Sequence, residues 1–142
     1  MPATTIEEAL TAYLLANADL TALVGTRIYP DAVEQGASGD ALVYVHQTGD
    51  DTPYISGEAN DLNRDTFILT AYSDKRKNAA QIRDVLSAMF AGTTPRGFWQ
   101  PNLFVQGCMP GRKTALTDPP RDASERHDRE TTILVTIIWD RR

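Results

Sequence analysis

The stretch Glu130-Thr-Thr-Ile-Leu-Val-Thr-Ile-Ile-Trp-Asp140 is β-branched along nearly its whole length. Such a run suits a strand with neighbours on both sides, so it reads as a central strand of a sheet. Two further strands precede it. In Ala41 to Thr48, Leu42, Tyr44, His46 and Thr48 share one face; in Arg64 to Tyr72, Phe67, Leu69 and Ala71 lie opposite Thr66, Ile68, Thr70 and Tyr72. This period of two predicts an antiparallel pair with one buried face. Leu103 to Cys108 adds a strand, and Thr26 to Tyr29 a brief extended segment stopped by Pro30.

Two helices flank these strands. Thr4 and Thr5 each stand three residues before a glutamate, Glu7 or Glu8, which is capping-box spacing. Ile6, Leu10, Tyr13, Leu14 and Asn17 follow as one stripe; Asp19 then reads as a second N-cap for a short turn closed by Gly25. Asp74 is the expected N-cap of the main helix, which runs to Ala91 with Gly92 after it. Its stripe of Ala79, Ile82, Val85, Leu86, Met89 and Phe90 is wide enough to cover a sheet. Lys75, Arg76 and Lys77 occupy its first turn, where cations oppose the helix dipole, a placement that hints at a use elsewhere. The expected fold is α+β: a mainly antiparallel sheet of four to five strands with two helices packed on one face. Residues 1–142 form one domain, with long polar loops at about 49–63 and 109–128.

Composition narrows the function. The 142 residues are 42% apolar and 23% charged, ordinary globular values. Cys108 is the single cysteine, which excludes an intrachain disulfide. No apolar run is long enough for a membrane helix, and the acidic, amphipathic start reads as neither signal nor transit peptide. The chain is expected to be soluble and to stay where it is made. The net charge of -5 is uneven: residues 1–73 carry -9 and residues 74–142 carry +4. An acidic half argues against a protein that coats nucleic acid, and unlike halves suit contacts between copies.

Catalytic signals are weak. Cys108 lies in an apolar segment and reads as a buried thiol; His46 reads as a packed strand histidine and His127 as part of a charge run. Gly107 to Thr114 resembles a phosphate loop, but Arg112 separates Gly111 from Lys113. Asp61 to Asp65 imitates a calcium loop, yet Thr66 and Tyr72 occupy the places of its glycine and its last ligand. No catalytic, cofactor or metal site is expected. The carboxylates Asp50, Asp51, Glu58 and Asp61 read as solvated loop charge. Phe98-Trp99 reads either as a plug closing one end of the core or, if exposed, as a docking anchor.

Ala18-Asp-Leu-Thr-Ala-Leu-Val-Gly-Thr-Arg-Ile-Tyr-Pro30, after a helix opening Ile6-Glu-Glu-Ala-Leu10, resembles the start of the tail-completion, or tail-terminator, proteins of long-tailed bacteriophages. Leu23 to Tyr29 is its distinctive part. Ala41 to Val45, Asp65 to Ser73, Ala79 to Leu86 and the final strand continue the likeness, whereas Thr93 to Asp128 departs from it. The resemblance implies a non-enzymatic virion protein without cofactors. It implies a homo-oligomeric ring, typically a hexamer, that caps the tail tube and meets the head connector, with DNA only in transit. It places the chain at the tail–neck junction of the virion, and in the host cytoplasm during assembly. The contact residues expected from charge and aromaticity are Asp50, Asp51, Glu58, Asp61, Lys75, Arg76, Lys77, Phe98, Trp99, Arg112 and Lys113. The alternatives are a head-closure or tube protein, a carboxylate- or metal-dependent hydrolase built on loop 49–63, and a monomeric binding module.

Overall fold

The computed structural model describes residues 5–31, 39–51, 62–73, 75–117 and 129–141. Its elements are α1 (Ile6–Ala16), α2 (Ala18–Val24), β1 (Ile28–Pro30), β2 (Ala41–Asp51), β3 (Asn63–Ser73), α3 (Arg76–Met89), β4 (Gly97–Gln100), β5 (Leu103–Thr117) and β6 (Arg129–Arg141). The strands form one six-stranded sheet in the order β1-β2-β3-β6-β5-β4. All pairs are antiparallel except β1 with β2. The α+β architecture and the central place of the final strand are as expected.

The sheet is one-sided because its strands alternate. Asp65, Phe67, Leu69, Ala71 and Ser73 of β3 are buried, while Thr66, Ile68, Thr70 and Tyr72 between them are half-buried. On β6 the same division puts Ile133, Val135, Ile137 and Trp139 inward and Leu134, Thr136 and Ile138 outward. Ile6, Leu10 and Leu14 of α1, Leu20 and Val24 of α2, and Ile82, Leu86 and Met89 of α3 join the inward residues in one core. Each large aliphatic side chain fully buried there stabilises the fold by about 1.5–3 kcal/mol.

Local chemistry sets the helix ends. Thr5 Oγ1 accepts from the Glu8 backbone N–H at 3.1 Å, and Glu8 Oε2 accepts from the Thr5 N–H at 3.0 Å, completing the capping box. The short second helix is an α-helix capped by Asn17, not by Asp19: Asn17 Oδ1 accepts from the Leu20 N–H at 2.9 Å. Asn17 alone there has the extended backbone a cap needs, which leaves Asp19 inside the first turn where its charge suits the dipole. The cap position of α3 is Lys75, with no side-chain cap bond; the expected cap, Asp74, lies outside the described residues. Ser73 Oγ accepts from the Lys75 N–H at 3.1 Å and donates to Asp40 Oδ1 at 2.7 Å. The helix ends at Met89 with Phe90 as C-cap, two residues before the expected end at Ala91.

The strand boundaries depart further from expectation. A sixth strand, β4, forms in the breaker-rich stretch before β5. Both long loops are shorter than their composition suggests. β2 continues to Asp51 and β3 begins at Asn63, so the connection shrinks to 52–62. β5 continues to Thr117, so Met109 to Thr117 is strand, and the later connection is 118–128. The cause is pairing at long range. β6 offers an unbroken ladder down to Arg129, and β5 follows it past Pro110 and Gly111 through register shifts at 105/107 and 110/113. A bulge and an edge position are where a sheet tolerates proline.

Truncating Phe67→Ala, fully buried between Tyr44 and His46, is expected to cost about 3–5 kcal/mol. Urea unfolding of both chains, compared at equal slope, measures it.

Candidate functional site

Phe98 and Trp99 point to opposite sides of β4, because successive strand residues face opposite ways. Trp99 turns inward and stacks on Tyr13, with centroids 4.2 Å apart and planes 3° from parallel. Its indole N–H donates to the Pro95 carbonyl at 2.8 Å, and the Tyr13 hydroxyl donates to the Met89 carbonyl at 2.6 Å. This plug seals the core where α1, α3 and β4 meet. Phe98 is 59% exposed and touches Phe104 edge-on at 5.0 Å. The Arg96 guanidinium sits 6.0 Å above the Phe104 ring. Phe98 is thus an exposed aromatic at a sheet edge, the type of residue that anchors protein contacts.

Two groups of the expected contact residues fall at opposite ends of the sheet. Asp50 and Asp51 end β2, level with Arg64 and Asn63 at the start of β3. Lys75 and Lys77 are exposed at the other end, just after β3 finishes at Ser73. β3 has 11 residues, which separates acids from bases by roughly 33 Å. Arg76 lies in the first turn of α3; Arg112 and Lys113 lie on β5, with Lys113 in register with Ile133. Glu58 and Asp61 lie outside the described residues, as does His127. Among the described residues, Asp50 and Asp51 are therefore not brought to Lys75 and Lys77 within one chain.

A cluster absent from the expected contacts joins four elements on the inner face. Asp65, 8% exposed, stands between His46 and Trp139: its Oδ1 is 2.8 Å from His46 Nε2, and its Oδ2 accepts from the Trp139 indole N–H at 2.7 Å. His46 stacks on Phe67 at 4.9 Å, and its Nδ1 lies 3.8 Å from Glu7 Oε1 on α1. Nearby, the Thr11 and Tyr44 hydroxyls meet at 3.0 Å. The signal for this cluster was legible: Asp65 shares the period-two face of Phe67, Leu69 and Ala71, an unlikely place for an unpartnered carboxylate. Its two bonds tie β2, β3 and β6 together, a positional role.

Cys108 packs against the core, and burial pushes its thiol up to about 12. Burial, and after it the charge of Cys108, raises the Tyr13 phenol to about 12 as well. A thiol held protonated at neutral pH is a poor nucleophile. Among the described residues, no group of three histidine, cysteine, aspartate or glutamate side chains is placed to hold a metal ion.

The family model described as tail completion protein gp17 matches residues 8–123, from α1 past the end of β5. The chain belongs to this family. The likeness read from Ala18 to Pro30 thus points to the right family. A chain in the solved virion of native gene transfer agent (GTA) particle shares the fold of this tail completion protein, with a TM-score of 0.62. The two are 22% identical, and the alignment covers 99% of this chain and 100% of the other, so β6 is included. No curated protein sequence matches the tail completion chain.

Replacing Asp65→Ala leaves the Trp139 indole N–H without its acceptor and is expected to destabilise the protein by about 1–3 kcal/mol. Asp65→Asn, which keeps an acceptor oxygen, is expected to lose less; thermal unfolding of the three proteins orders them. Alkylation of Cys108 by iodoacetamide at pH 8 is expected to be on the order of 100–1,000 times slower in the folded protein than in urea. Mass spectrometry of timed samples gives the two rates.

Proposed function

We propose that this tail completion protein forms a ring, a hexamer, that caps the tail tube and joins it to the head connector. It acts at the tail–neck junction of the virion, is assembled in the host cytoplasm, and lets DNA pass only through its lumen. Membership of the tail completion family carries this reading. The distribution of charge supports it. A cyclic ring needs two unlike patches on each subunit, because every contact is head-to-tail. Asp50 and Asp51 at one end of the sheet, with Lys75 and Lys77 exposed at the other, are unlike patches of this kind. Arg76, Arg112 and Lys113 add to the basic set, and Glu58 and Asp61 are assigned to the acidic set.

Phe98 is assigned to a face that meets the tube or the connector, since an exposed aromatic near a cation is a common anchor of interfaces. Trp99 contributes by holding β4 against α1 and needs no partner. The protein acts as a structural component and uses no cofactor; the raised Cys108 thiol is in keeping with that role.

The test is assembly on tubes. Purified chain mixed with tail tubes is expected to cap tube ends as rings seen by negative-stain electron microscopy. Uncapped tubes and a chain that stays monomeric in their presence would overturn the reading. Lys75→Glu with Lys77→Glu changes two exposed side chains, so folding is expected to stay within about 0.5 kcal/mol of the parent. Ring formation is expected to fall, and unchanged assembly would remove this cluster from the contact.

A further inference from the structure

The two edge strands of the sheet are too short to cover their neighbours. β1 pairs with β2 only at Leu42 to Tyr44, and β4 pairs with β5 only at Leu103 to Val105 and their flank. Among the described residues, no strand pairs with the outer side of β2 from Val45 to Asp51 or of β5 from Met109 to Thr117. Edges left without a partner among the described residues are templates for another strand. Here they lie at diagonally opposite corners of the same sheet, are of similar length and are unlike in charge. The β2 edge, Val-His-Gln-Thr-Gly-Asp-Asp, carries Asp50 and Asp51; the β5 edge, Met-Pro-Gly-Arg-Lys-Thr-Ala-Leu-Thr, carries Arg112 and Lys113. Neither edge is capped by bulk where side chains are described. Gln47 on one, and Met109, Pro110 and Gly111 on the other, are exposed, Met109 to 48%.

We propose that these edges pair with each other between neighbouring copies, so that β5 of one subunit continues into β2 of the next and the ring seam is a β-ladder. This rests on the ring reading given above and specifies its contact. Three geometric facts favour a second copy of this chain as the occupant. First, β2, β3, β6 and β5 alternate in direction, and four is even. Copies related by rotation about an axis along the strands then meet β5 against β2 antiparallel, with no strand reversed. Second, the charges oppose: the acidic end of one edge runs beside the basic part of the other.

Third, the offset between the edges suits closure. Through Ile133 and Leu69, Lys113 is level with Tyr44; through Thr136 and Thr66, Met109 is level with Thr48. The middle of the β5 edge, near Lys113, therefore sits about four residues from the middle of the β2 edge, near Thr48, which is roughly 13 Å. Four strands span about 19 Å. A shift of that size per subunit inclines the strands by about 35°, within the range at which sheets close into barrels. The same diagonal placement that leaves each edge without a partner among the described residues supplies the stagger a closed wall needs.

Two sets of variants test the seam, both in the full-length chain. In a Cys108→Ser background, Val45→Cys with Leu116→Cys places one thiol on each edge at positions the offset brings together. Bismaleimidoethane added to assembled rings is expected to give a ladder of covalent oligomers in denaturing gels, absent from either single-cysteine variant. In the second set, Asp50→Lys with Asp51→Lys is expected to raise the concentration needed for assembly by roughly tenfold. Adding Arg112→Glu and Lys113→Glu to the same chain is expected to restore it, which misfolding would not allow. Rings that form but give no ladder overturn the seam and leave the ring reading intact. One-sided reversal without effect, or reversal not rescued by the exchange, overturns the pairing of charges across it. A chain that forms no ring, free or on tubes, overturns both proposals.

Discussion

The ladder between β3 and β6 is the constraint on which the rest of the molecule depends. It runs without a register shift from Asn63 opposite Trp139 to Ser73 opposite Arg129. Side chains in such a ladder alternate strictly, so a slip of one residue would send Phe67, Leu69, Val135 and Ile137 to the wrong face. With the register held, those four join the helices in one core, and the other side is mainly threonines and aliphatics, with Arg64, Tyr72 and Asp140. The Asp65 cluster locks the same pair at its upper end, since one carboxylate binds across to β2 and to β6 together. At the lower end the Thr131 hydroxyl donates to the Ala79 carbonyl and fixes α3 over the ladder.

This arrangement closes the core and leaves parts of two strands without an outer neighbour among the described residues. The core is closed by packed aromatics at Tyr13, Phe90 and Trp99. Yet β1 and β4 stop after three and four residues and leave most of β2 and β5 without an outer neighbour among the described residues. A monomeric protein usually keeps such edges short or covers them with a helix or loop. A structural protein of a phage tail has the opposite need: each subunit must offer its neighbours surfaces that a lone subunit leaves open. In the proposed ring, the separation of negative from positive residues along the strands disfavours contacts between like ends and gives head-to-tail assembly its direction.

Much of the fold was legible because its signals are local. The capping box at Thr5 and Glu8, the stripe from Ala79 to Leu86, and the alternation of Phe67 to Ala71 each depend on a few neighbouring residues. The errors came where a distant partner overrode local composition. Met109 to Thr117 contains proline and glycine and resembles a loop, but the ladder of β6 holds it extended. Asp50 and Asp51 look like loop carboxylates and are strand residues for the same reason. Among the expected contact residues, Phe98 and Trp99 were recognisable as a pair; which one faced solvent depended on the register of β4 against β5.

By itself, the sequence determined the types of element, their inward faces, the family, and the imbalance of charge between the two halves. These follow from periods of two and 3.6 and from residue counts, which need no knowledge of what lies across the sheet. Only the tertiary structure decided the order β1-β2-β3-β6-β5-β4, the joining of His46, Asp65 and Trp139, and the two diagonal edges. Each of these depends on which distant segments pair and in what register. Pairing is chosen by the burial of whole faces at once, a property no single stretch of the chain carries.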